Sequence, residues 1–147
     1  MKLRILSILV LVLASAISGC GTSGTPSPSS APLTVQDQAS LLNALQAAGA
    51  NVEIGDSITQ EFFTPAGQAV KVNGADLQVF EYENAEAMEK EASQVAPDGG
   101  SIGTSMVTWI DMPHFYKSGR IIVLYLGRDQ ANLDLLNKMI GPQFAGQ

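Results

Sequence analysis

Cysteine, histidine and tryptophan each occur once among the 147 residues. One cysteine excludes an internal disulfide framework, and one histidine excludes a zinc site of the Cys/His-rich kind. Positive charge is also scarce. Of the eight basic residues, Lys2 and Arg4 precede Cys20, which leaves six against fourteen acidic ones and a net charge of −8 for the remainder. Those six stand singly, whereas phosphate binding draws on clustered Lys and Arg, so nucleic acid is excluded as a partner. No repeat of solenoid period is present. The length fits one domain, on a norm of about 100–200 residues per domain.

What the chain has in abundance lies at its start. Lys2 and Arg4 give a short positive segment, Ile5 to Ile17 is apolar throughout save two serines, and Ser18-Gly19-Cys20 ends the run with small residues. This is the layout of a secretory signal. A helix over that stretch reaches about 20 Å, short of the roughly 20 residues a bilayer span takes, so a permanent transmembrane helix is the weaker reading. Ile17-Ser18-Gly19-Cys20 resembles the bacterial lipobox, an aliphatic residue, two small ones and a cysteine. That resemblance implies cleavage before Cys20, acylation of its thiol, and residence in the cell envelope. The lipid would sit in the outer face of a cytoplasmic membrane or in an outer membrane. Two or more acyl chains, at about 0.8 kcal/mol per buried CH₂, hold a protein stably where one does not. Gly21 stands where the family's inner-membrane retention signal has Asp.

Residues 1–19 are therefore expected as signal peptide and 20–32 as lipidated Cys and tether. Gly21 to Pro32 (GTSGTPSPSSAP) is uncharged and rich in Gly, Ser and Pro. Such a segment buries too little to offset its chain entropy, and at full stretch it spans roughly 40 Å. Residues 33–147 are expected as a single globular domain.

Within it, Thr34 ahead of Asp37 and the spacing of Leu41, Leu42, Leu45 and Ala48 predict a helix over 35–48. A short strand is expected at 51–54, and Asn73-Gly74 between alternating runs predicts a hairpin. Asn84 caps a second helix that runs toward Pro97. Strand character returns at Met106 to Ile110, stops at Pro113 and resumes through His114 to Lys117. A Ser118-Gly119 turn would pair Tyr116 with Ile121 and His114 with Val123. Ile121 to Leu126 is continuously apolar and is expected to be the most buried strand. A last helix starts near Asp129 and stops at Gly141-Pro142. The order α-β-β-β-α-β-β-α predicts an α+β fold, a mainly antiparallel sheet of about five strands with helices packed on one face. Asp98-Gly99, Ser101 to Thr104, Pro113 to Tyr116, Gly119 to Tyr125 and Gly141 to Phe144 together resemble small bacterial lipoproteins of unknown function. The resemblance implies secretion and a compact domain, and no catalytic motif comes with it.

Candidates for chemistry are few. The glycine-rich Gly99 to Ser105 leads into a strand and lacks the Gly-Lys-Ser/Thr of a phosphate loop. Glu81 and Glu83 share a strand face, the spacing for acid/base work and equally for a soluble edge strand. Phe62 and Phe63, in a polar loop, are candidates for exposed aromatics. Asp111 and His114 offer two ligands where a metal site wants three or four, and no Gly-x-Ser-x-Gly elbow accompanies them, so no metal and no cofactor are expected. Alternation places His114 and Tyr116 on one face and Phe115 on the other. With Asp111 nearby, His114 and Tyr116 are expected as a binding patch, the alternative being packing beneath a helix. The functional expectation is a surface-displayed binding or interaction module for a protein or small-molecule ligand, anchored through Cys20. The alternative is a small hydrolase or metal-dependent enzyme using His114 and Asp111.

Overall fold

The computed structural model describes residues 34–147. The expected signal peptide, Cys20 and the tether lie outside the described residues. Element by element, the chain forms α1 (Gln38–Ala47), β1 (Val52–Ile58), β2 (Gly67–Val72), β3 (Ala75–Glu81) and α2 (Ala85–Ala92). A small hairpin follows, β4 (Ser101–Ile102) and β5 (Ser105–Met106), then β6 (Pro113–Ser118), β7 (Ile121–Leu126), α3 (Gln130–Ile140) and β8 (Ala145–Gly146). The main sheet is six-stranded in the order β1-β2-β3-β7-β6-β8, and every neighbouring pair is antiparallel. The fold is α+β with an antiparallel sheet, as the element order predicts.

The turns follow from local chemistry. Asn73 and Gly74, both at positive φ, form the two-residue loop between β2 and β3, the conformation a type I′ turn demands. Asn84 Oδ1 accepts from Ala87 N, and Asp129 Oδ1 accepts from Asn132 N, so each caps its helix as expected. α1 is shorter than its spacing predicts. Val35 and Gln36 are held outside it, because Ser118 Oγ donates to Val35 O and Arg120 N donates to Gln36 O. The helix therefore starts after Asp37, which forms a capping box with Ser40. α2 stops at Ala92, ahead of Pro97, and Val95 bridges instead to Ile102.

Three further expectations need correction. The β6–β7 hairpin turns at Gly119-Arg120, pairing Ser118 with Ile121, Tyr116 with Val123 and His114 with Tyr125. Gly119 must take the first turn position, since its φ is +55° and a side chain there would run into the backbone of Gln36. Met106 to Ile110 is not a full strand: only Ser105–Met106 pairs, and beyond it Trp109 is drawn inward to donate from Nε1 to Gly99 O at 2.7 Å. The helices lie on both faces of the sheet. Leu41, Ala44 and Leu45 of α1 and Leu136 of α3 pack on Val79, Tyr116, Val123 and Tyr125. Met88 and Ala92 of α2 pack on Phe80, Phe115, Ile122 and Leu124 on the other side. Residues 121–125 alternate between these two cores and are buried throughout, which is why that stretch is apolar without interruption.

Candidate functional site

Pro113 opens β6, and its missing N–H costs nothing at that first position. Its carbonyl accepts from Gln147 N, and β8 pairs with His114 and Phe115, so the first half of the β6 edge is covered. The expected patch on this strand does not reach the surface. His114 is 4% exposed and Tyr116 0%. The alternation is as expected, with Phe115 and Ile122 in one core and Tyr116 in the other, but both faces are covered by packed elements.

His114 is held at both ring nitrogens. Nε2 lies 3.0 Å from Gly127 O, a carbonyl that only accepts, so Nε2 carries a hydrogen. Nδ1 lies 2.8 Å from Gln143 Oε1. The amide of Gln143 serves either form of the ring, accepting from an imidazolium or, turned over, donating to the neutral ring. The ring also stacks against Tyr125 at 5.9 Å. His114 thus ties the start of β6 to the ends of β7 and α3.

Asp111 is engaged elsewhere. Its Oδ1 accepts from Met112 N at 2.8 Å and from Arg128 Nε at 2.9 Å. The Met112 N–H, and after it the Arg128 guanidinium, hold the Asp111 carboxyl below its ordinary range. Tyr116 Oη is buried with no hydrogen-bond partner among the described residues, and that burial raises its pKa. The structure therefore does not assemble Asp111, His114 and Tyr116 into one site. Nor do the described residues hold any group of three His, Cys, Asp or Glu positioned for a metal.

The other candidates resolve into structural roles. Glu81 ends β3, an inner strand, where it pairs with Arg120 Nη2 at 2.6 Å and accepts from Gln38 N. Phe63 is buried on Phe80, and Phe62 sets its edge against Trp109 at 5.7 Å. The Gly99 to Ser105 segment is the β4–β5 hairpin, with Gly103 at φ +57° in its turn.

The candidates above leave out the outward side of the segment 105–111. Val107 and Trp109 point into the core, Trp109 packing edge-on against Phe115 at 5.7 Å. Met106 and Ile110 point away and are 92% and 94% exposed. The period-two pattern of Met106-Val107-Thr108-Trp109-Ile110 carried this signal, because an inward Val/Trp pair leaves Met and Ile outside. The segment forms a ridge: Ile110, Asp111 and Arg128 line two shallow depressions on either side of it, of about 460 and 450 Å³. It sits beyond the start of β6, while Val35 and Gln36 enter beside the β6–β7 turn at the strand's other end. Six residues of strand put roughly 20 Å between the two ends.

Comparison of the chain with protein-family models, with curated proteins and with solved structures gives no match.

Proposed function

We propose that the protein is a lipid-anchored module of the cell envelope, held through Cys20, whose domain binds a partner at the Met106 to Asp111 ridge. The observation that carries this reading is the pairing of near-complete exposure at Met106 and Ile110 with inward anchoring of their neighbours Val107 and Trp109. Val107 N donates to Gly100 O at 3.1 Å and Trp109 is locked among aromatic rings, so the two apolar tips are presented by an ordered support. Burying such a side chain in a partner is worth about 1.5–3 kcal/mol. The lipobox-like Ile17 to Cys20 supports the anchor, and the 12-residue stretch after it supports a domain held off the lipid. His114 and Asp111 are each engaged in hydrogen bonds that hold the fold, which favours binding over the hydrolase reading.

Two measurements on the full chain in its own membrane test this. Replacing Cys20 with Ser should move the protein out of the membrane fraction; unchanged retention removes the anchor. A photo-crosslinking side chain in place of Ile110 should give a discrete adduct, and the same group in place of the exposed Lys138 should not. Adducts from neither position, or equally from both, overturn the ridge as a binding surface.

A further inference from the structure

The surface chemistry of the ridge selects a class of partner, an inference that rests on the binding reading above. The two depressions share Ile110, Asp111 and Arg128 as a common wall. Beyond that wall, one side carries Asp76 and Asp129 and the other carries Asp98. The cations nearby are already engaged: Arg128 Nε is on Asp111 at 2.9 Å, and Lys71 Nζ is on Asp76 at 2.6 Å. Among the described residues neither Asp98 nor Asp129 has a cationic partner. Asp98 accepts from Gly100 N and Asp129 from Asn132 N, each through Oδ1, which leaves a second carboxylate oxygen on both sides of the ridge. Met106 stands over a third depression that shares Asp98 and Gly100 with the second. The exposed apolar tips are thus flanked by two carboxylates, Asp98 and Asp129, that have no cationic partner among the described residues.

We propose that this ridge docks a cationic polypeptide segment, in which an apolar residue covers Ile110 and flanking Lys or Arg side chains reach Asp98 on one side and Asp129 on the other. Charge decides between this and the competing occupants. An anionic lipid surface meets like charge there, and so does a second copy of the same acidic ridge. A basic segment gains attraction on both sides while burying Met106 and Ile110.

The test uses the lipidated chain in phosphatidylcholine nanodiscs, with empty nanodiscs subtracted, titrated with a short fluorescent peptide alternating in Lys and Leu. Peptides alternating in Glu and Leu and in Lys and Ser serve as counterparts. The Lys/Leu peptide should bind at least about tenfold more tightly than either, and more weakly as salt rises from about 0.05 M to about 0.3 M. Met106→Ser with Ile110→Ser should weaken it at least about tenfold, as should Asp98→Lys, with the thermal midpoint of the double Ser variant unchanged. If Asp98→Lys does not fold, the double Ser variant decides alone, its two sites being almost wholly exposed. Binding that survives the double variant places the contact elsewhere, and equal binding of the Glu/Leu peptide removes the charge argument. Variant-sensitive binding to phosphatidylglycerol vesicles in preference to the Lys/Leu peptide makes the occupant a lipid surface. Self-association abolished by the double variant makes it a second copy. Each of these overturns the proposal. The Cys20→Ser fractionation and the crosslink from position 110 are read separately, so a ridge that crosslinks but ignores the Lys/Leu peptide keeps the binding reading and loses only its partner class.

Discussion

At position 116 the ring and the hydroxyl have opposite effects on stability. The ring of Tyr116 fills the core between the sheet and α1 and α3, fully buried, while Oη has no partner among the described residues. A buried hydroxyl without a hydrogen bond carries a desolvation cost of about 1–3 kcal/mol, and removing it to leave the same shape is close to neutral or stabilising. Tyr116→Phe should therefore leave the urea midpoint unchanged or raised. Tyr116→Ala should lose about 3–5 kcal/mol through the cavity it opens. Comparable losses in both variants would show that the hydroxyl is bonded after all. The residue also marks a limit of sequence reading. Period-two alternation correctly separates His114 and Tyr116 from Phe115, but whether a face is wet depends on what covers it. The cover consists of α1, α3 and the segment after α3, all distant in sequence.

Among the elements, local chemistry was the most legible and pairing the least. The Asn73-Gly74 turn, the Asn84 and Asp129 caps and the stop at Gly141 are written in adjacent residues, and the structure has each of them. The β6–β7 register is not, because Ser118-Gly119 and Gly119-Arg120 are both plausible turns until the chain near Gln36 is in place. There the Cβ of any residue replacing Gly119 would lie 2.2 Å from Gln36 O, at φ +55°. Gly74, at φ +86°, has nothing within 4 Å of that position. Gly74→Ala should therefore cost only the backbone term, about 1 kcal/mol, whereas Gly119→Ala adds a clash with main chain and should cost more. Urea denaturation of the two variants checks the order. Equal losses would mean that residues 35–36 move aside freely and do not hold the hairpin. The ridge was half legible for a related reason: the alternation of residues 106–110 is visible in the sequence, but the hydrogen bond from Trp109 Nε1 back to Gly99 O across the β4–β5 hairpin is not.

For the whole molecule, charge and core act on different scales. Asp37 is held below the ordinary carboxylate range by the Ser40 N–H, then by the Ser40 hydroxyl, with Arg120 assisting, and Asp111 by Met112 N–H and Arg128. Groups with lowered folded values add stability that is present above the unfolded value of about 3.9 and lost as pH falls through the folded one. The thermal midpoint should thus be level down to about pH 5 and fall below about pH 4, and Asp37→Asn should flatten part of that fall. An acid limb unchanged by Asp37→Asn would assign it to other carboxylates. The two cores pose the larger question, since they share no side chains yet share one sheet: β7 gives Ile121, Val123 and Tyr125 to one and Ile122 and Leu124 to the other. A strand cannot keep its ladder while losing one of its faces, so neither core should melt alone. Leu45→Ala and Met88→Ala remove buried side chains from opposite faces, each at about 2–5 kcal/mol, and having no common partner they should add. Against a total of about 5–15 kcal/mol the double variant is close to unfolded, but its transition should stay single, with fluorescence from Trp109 and far-ultraviolet dichroism changing together. Two separated transitions in either single variant would show that the faces are independent and that the sheet transmits nothing between them.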